Sequence, residues 1–283
     1  MKILFVLCEG PHDAQFVGRL LHESDQYELY NQKLKNYPSP LGDFFAAKFQ
    51  NRTVQELRIG KPDFPQVPLC AFKSKQNGGL VFPISLGGMD KYQDAIKLIT
   101  EIEEALAADT LSVTNSDIHG YSLLFLYDAD SRGKEGTIDL FINRFNKHYS
   151  SINNEVGRSW VNLREHLLSV FVFTDSSGET GVLEDALLDL FRLNAAAHVG
   201  DTENHFGTYF EACAEEGDKI AHEAKKKKGI LTTCGQMEMQ NAGAALTVVI
   251  RDTSLLNNAF DFTDKSTQWY MLLQHINTGL NPP

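Results

Sequence analysis

The chain has 283 residues, of which 42% are hydrophobic and 22% charged, an ordinary globular composition with enough length to bury a large core. Its formal net charge of -11 argues against broad, non-specific wrapping of nucleic acid, which relies on a basic surface. That charge still allows an acidic site that meets phosphate through a bound cation, because the ion reverses the local sign.

Ile3 to Leu7 is a continuous apolar run, as expected of a strand buried on both faces. Gly10-Pro11 follows at once, and proline suits a first helical position because its missing N–H would be unpaired there anyway. Phe16, Val17, Leu20 and Leu21 then repeat at helical spacing, so the opening reads as strand, tight turn, helix, with Glu9 at the strand's C-terminal end. Residues 25–79 carry Pro38, Pro40, Pro62, Pro65 and Pro68 with little periodicity, and are expected to form an insertion after the first helix or an elaborated connection.

Leu80 to Leu86 reads as a strand, punctuated by Gly87-Gly88. Asp90 can cap the segment in which Ile96, Ile99, Ile102 and Leu106 mark one face of an amphipathic helix. Ser122 to Tyr127 is a second buried strand running straight into Asp128-Ala129-Asp130. Ile138 to Phe145 reads as helix, Leu168 to Thr174 as strand, and Ser176 to Gly181 as a loop. A helix through Leu193 follows from Val182-Leu183-Glu184-Asp185, and Leu246 to Ile250 reads as a late strand.

Apolar strands alternating with amphipathic helices point to an α/β fold with a largely parallel central sheet flanked by helices. One domain over 1–283 is expected, with 200–283 a C-terminal extension or a small lobe. The N-terminal apolar run is too short for a signal segment, and no run is long enough to cross a membrane. Cys8, Cys70, Cys213 and Cys234 form no CxxC pair, which fits buried free thiols and a cytoplasmic protein.

In open α/β sheets ligands bind beyond the carboxyl ends of the strands, and two of the strands expected here end in carboxylates. Glu9 closes the first, beside Gly10, with no evident structural duty. Asp128 closes the strand from Ser122, and Asp130 shares its face if the chain stays extended. Two carboxylates on one face repel unless a cation or a proton sits between them, and Mg²⁺ or Mn²⁺ takes such oxygen ligands together with water and substrate phosphate. Taken alone, Asp128-Ala129-Asp130 reads more simply as a loop start, where aspartate is common. Asp13, Glu184 and Asp185 each have a simpler duty available, since acids in a first helical turn favour the helix dipole.

The set as a whole resembles the Toprim family. Glu9-Gly10-Pro11-His12-Asp13 is similar to the Toprim glutamate motif, and Asp128-Ala129-Asp130 to its Asp-x-Asp motif. The Glu-Gly-x-x-Asp spacing is nearest to the overcome-lysogenization-defect nuclease branch. Gly181-Val182-Leu183-Glu184-Asp185 resembles the Gly-x-Leu-Glu-Asp signature of an uncharacterised bacterial Toprim-like family, and Gly87-Gly88-Met89-Asp90 fits that family too. The resemblance covers the core from residue 1 to about residue 195.

It implies a Mg²⁺- or Mn²⁺-dependent nuclease or phosphoryl-transfer protein acting on nucleic acid. Glu9 would be a metal ligand or the general acid/base, and Asp128 and Asp130 metal ligands. Asp13 and Glu184 would hold a second metal, with Asp185 a weaker candidate. Lys225 to Lys228 and Arg251 would be the basic residues to offset transition-state charge, although each alone reads as a solvated surface charge. His12 beside the acids suits substrate contact or a structural hydrogen bond. The chain has no G-x-x-x-x-G-K-[ST] motif, so ATP-driven action would need an ATPase partner. From another class, a non-catalytic module could bind metal or nucleotide within a larger complex; a small-molecule phosphohydrolase is the third possibility.

Overall fold

Six of the seven residues of β1 (Lys2–Cys8) are buried, because this strand lies between two others and is covered on its faces. The computed structural model describes residues 1–49, 68, 70–110, 118–163, 166–213 and 219–281. The other strands are β2 (Tyr27–Leu29), β3 (Phe72–Ser74), β4 (Leu80–Ser85), β5 (Gly120–Asp128), β6 (Val161–Leu163) and β7 (His166–Phe173). They form one sheet of order β2-β3-β4-β1-β5-β7-β6. β1 pairs in parallel with β4 (Ile3 opposite Leu80) and with β5 (Lys2 opposite Gly120), whereas β2–β3, β3–β4 and β6–β7 pair antiparallel. The fold is therefore mixed α/β, with parallel strands at the centre and short antiparallel strands at the edges.

Eight helices are present among the described residues: α1 (Pro11–Glu23), α2 (Leu41–Phe49), α3 (Tyr92–Thr110), α4 (Gly133–Phe145), α5 (Leu183–Cys213), α6 (Lys219–Gln236), α7 (Leu246–Asp252) and α8 (Gln268–Leu280). The stretch expected as an insertion supplies α2, the edge strand β2 and its neighbour β3; its residues 50–67 and 69 lie outside the described residues.

By its internal contacts the chain divides into two compact units. The first comprises Met1–Tyr127, Ile138–Phe171 and Leu273–Pro283. α1 packs there on β1, β4 and β2 through Phe16, Val17, Leu20 and Leu21, all fully buried. Aromatic rings fill much of this core: Phe5 stacks on Phe82 with centroids 5.6 Å apart, and Phe125 meets Phe141 at 4.8 Å. Residues 273–280 of α8 close the unit. Ser122 donates from Oγ to the Gly279 carbonyl (2.8 Å), Tyr27 from its hydroxyl to Asn277 (2.6 Å), and Trp160 from Nε1 to the His275 carbonyl (3.2 Å).

The second unit comprises Asp128–Thr137 and Val172–Leu272. Its centre is the packing of α5 on α6 and of α6 on α7. α5 is interrupted at Ala195, where φ is -147° and ψ 41°. Leu246 to Ile250, expected as a strand, is helix α7. The buried residues are Leu246, Val249 and Ile250, spaced as one helical face, and a five-residue apolar run is too short to tell the two periods apart.

Candidate functional site

Each unit carries part of the acidic set. Glu9 and Asp13 belong to the first; Asp128, Asp130, Glu184 and Asp185 belong to the second.

In the first unit Glu9 follows β1 directly, and its backbone is held from two directions. Its N–H donates to the Leu126 carbonyl of β5 (3.1 Å), and its carbonyl accepts from Gly88 N–H (2.7 Å). The parallel register sets this up, since Cys8 lies opposite Ser85 on one side and Leu126 on the other. The glycine pair after β4 thus has a direct role in holding Glu9. The Glu9 carboxylate reaches electrostatically to Tyr127: burial pushes that phenol up strongly, and the negative charge of Glu9 adds to the effect. Asp13 is the third residue of α1, and its Oδ2 accepts from Gly10 N–H at 2.6 Å. This is the reciprocal arm of a capping box, and it satisfies a donor the helix start would otherwise leave over. His12 is half-buried in the same first turn.

The second unit joins residues 55 positions apart. Asp128 ends β5, and its Oδ1 accepts from Leu183 N–H, the first residue of α5, at 2.8 Å. Glu184 is the next residue, so one backbone junction brings the Asp-x-Asp segment to the Gly-x-Leu-Glu-Asp segment. Asp130 N–H donates to the Gly181 carbonyl (2.8 Å) across an isolated β-bridge. Thr137, fully buried, donates from its hydroxyl to the carbonyls of Asp128 and Ala129 (3.3 Å each). Sequence reasoning passed over Thr137; its place one helical turn into α4, nine residues from Asp128, is the signal that was there to use.

Asp130 adopts φ 49°, so the chain leaves the extended conformation there and strand alternation does not set where its side chain points. That side chain pairs with Arg132 at 3.1 Å in a partly exposed contact. Gly181 has φ 125°, and a Cβ at this position would collide with the backbone of Thr174 and Asp175. The close approach needs glycine.

Glu184 is 2% exposed. Burial raises its carboxyl above the usual range, and Lys228, with Nζ 3.6 Å from Oε1, pulls in the opposite direction. Its Oε2 is buried with no hydrogen-bond partner among the described residues. Asp185 accepts from Val182 N–H on Oδ2 (3.0 Å) and holds Lys227 Nζ on Oδ1 (2.6 Å). Asp175, in the preceding loop, lies below the usual carboxylate range because the Ser177 hydroxyl donates to it, with Thr180 helping. A cavity of about 290 Å³ opens beside these residues, lined among others by Asp175, Asp185, Arg192, Lys226 and Lys227. Arg251, a candidate counter-charge, forks onto its neighbour Asp252 at 2.7 and 2.6 Å.

An oxygen-only donor set suits Mg²⁺ or Mn²⁺. Among the described residues, however, no group of three or more His, Cys, Asp or Glu side chains is gathered closely enough to hold a metal ion. Glu184 and Asp185 fit a second metal poorly, since each already faces a lysine. No helix among the described residues is long and apolar enough to cross a membrane.

No family model matches the chain, and no curated protein matches it. Among solved structures it is similar to the crystal structure of a hypothetical protein from Pyrococcus horikoshii, with 15% identity and a TM-score of 0.52 over 98% of this chain and 100% of that one. At that identity, what the two chains share is the fold.

Proposed function

We propose that the protein is a Toprim-type, Mg²⁺- or Mn²⁺-dependent phosphoryl-transfer protein that cleaves phosphodiester bonds in nucleic acid. One observation carries this: the Asp128 carboxylate, at the carboxyl end of a central parallel strand, is fixed on the N-terminus of α5 beside the buried Glu184. Strand ends of this kind are where α/β sheets bind ligands, and a helix N-terminus favours negative charge. In the second unit Asp128 and Asp130 are the residues that would hold the ion, and the resemblance assigns Glu9 the role of a metal ligand or of the general acid/base. A divalent cation bound there would supply charge stabilisation to the phosphoryl oxygens and make water a better nucleophile. The Leu183 N–H keeps one oxygen of Asp128 oriented, and Thr137 holds the backbone beneath it.

A non-catalytic metal- or nucleotide-binding module within a larger complex is the second reading. It is favoured by the Asp130–Arg132 pair, which occupies one of the expected ligands. An ATPase or another protein would be the natural partner of such a module.

The two are separated by incubating the protein with plasmid, single-stranded DNA and RNA in Mg²⁺ or Mn²⁺. Wild type should cleave at least one of these, Asp128→Asn should abolish cleavage, and Glu9→Gln should slow it by about 100-fold or more. A folded wild type that binds Mn²⁺ yet leaves all three intact would establish the module instead.

A further inference from the structure

Lys225 to Lys228 form four consecutive positions of α6. A helix advances about 100° per residue, so four in a row occupy most of its circumference and cannot all face water. Two of them reach α5. Lys227 Nζ lies 2.6 Å from Asp185 Oδ1, and Lys228 Nζ 3.6 Å from Glu184 Oε1. Consecutive lysines thus meet consecutive acids in antiparallel register.

Glu184 is a carboxylate almost wholly removed from water, a state that requires a nearby cation or a proton. The protein supplies an ammonium group. Asp185 has both oxygens engaged, one by Lys227 and one by the Val182 N–H that starts the helix. A divalent ion seated on these two carboxylates would stand within a few ångströms of two like charges in a partly buried place, where screening is weak.

We infer that Lys227 and Lys228 take the place of a second divalent cation: the site proposed above, on which this rests, holds one metal ion per chain, and the two ammonium groups supply the remaining positive charge. Glu184 and Asp185 then hold lysines in position and are not metal ligands. The lysine run was the one strongly basic feature of an acidic chain, and this gives it a use at the site.

The test counts bound Mn²⁺ per chain on the full chain, by titration followed by electron paramagnetic resonance, with no substrate present. Wild type should take up one ion. Glu184→Gln should keep that ion at unchanged affinity, the Lys227→Arg, Lys228→Arg pair should also stay at one, and the Lys227→Met, Lys228→Met pair should gain a second. Two ions in wild type, loss of the ion in Glu184→Gln, or a folded methionine pair still holding one would overturn the inference and leave the metal reading standing. A folded wild type that binds no Mn²⁺ would remove the metal reading and the inference together. If the methionine pair does not fold, as judged by circular dichroism, wild type and Glu184→Gln decide the matter.

Discussion

Helices α1 and α5 begin alike and are fastened differently. In each, an aspartate at the third helical position accepts from the backbone N–H just before the helix: Asp13 from Gly10, and Asp185 from Val182. Each begins inside a glycine-to-aspartate stretch, Gly10 to Asp13 and Gly181 to Asp185, and in each the aspartate spends one carboxylate oxygen on an ordinary helix start. The glycines differ. Gly10 has φ -129°, open to any residue, and an added Cβ would meet Asp13 Oδ2 at an ordinary 3.4 Å. Gly181 has φ 125° and backbone pressed against the place where a Cβ would sit. α5 is also clamped by Lys227 and Lys228 and by Asp128. The same aspartate cap therefore covers two degrees of local constraint.

That contrast can be broken by substitution. Gly181→Ala should have the largest effect, about 3 kcal/mol of stability lost in urea unfolding, because strain and a backbone clash combine. Gly10→Ala in the same assay should cost about 1 kcal/mol or less. Equal losses at the two glycines would show that the α5 start is not the tighter of the two.

Lys228→Met comes next. It leaves Glu184 buried without its cation, and since Lys228 is about half exposed the loss should be about 1–2 kcal/mol near neutral pH. The pH dependence gives the sign. Burial raises the Glu184 carboxyl in the folded state, so its stabilising share is complete below the ordinary carboxylate value and is lost as pH rises through the raised one. Stability measured against pH should therefore fall less steeply in Glu184→Gln than in wild type, and more steeply in Lys228→Met. A Glu184→Gln profile parallel to wild type would mean the carboxyl is not perturbed.

The smallest effects separate the two aspartates. Asp13→Ala and Asp185→Ala should each cost about 1 kcal/mol as lost caps. Asp185→Ala should exceed Asp13→Ala by a few tenths of a kcal/mol for the pair with Lys227, an excess that shrinks in high salt. A difference unaltered by salt would point away from the ion pair.

Much of the first unit was legible in the sequence. β1, β4, β5 and β7 are apolar runs closed by glycine or carboxylates, and buried strands leave that trace. β2, β3 and β6 have three residues each, too few for a period to show. The second unit was harder. Leu246 to Ile250 has the apolar density of a strand and the burial pattern of a helix, and only tertiary packing against α6 distinguishes them. The contact of Asp128 with Leu183 and those of Lys227 and Lys228 with α5 span long sequence separations that no local pattern encodes. The length of the lysine run did hold a usable signal, because a helix has no face wide enough for it. Asp13 and Asp185 show the converse: their capping duty was the plain expectation for an acid in a first turn, and the structure shows both performing it.

The return of residues 273–280 to the first unit has a consequence for how the chain is made. A ribosome delivers β1 before the rest of the sheet, yet the groups that receive Ser122, Tyr27 and Trp160, at Gly279, Asn277 and His275, are delivered about 270 residues after it. Every residue of the second unit has been synthesised by Leu272. The unit that opens the sequence is thus the later of the two to be completed, and its sheet must wait, partly uncovered, for a helix translated after all of its neighbour.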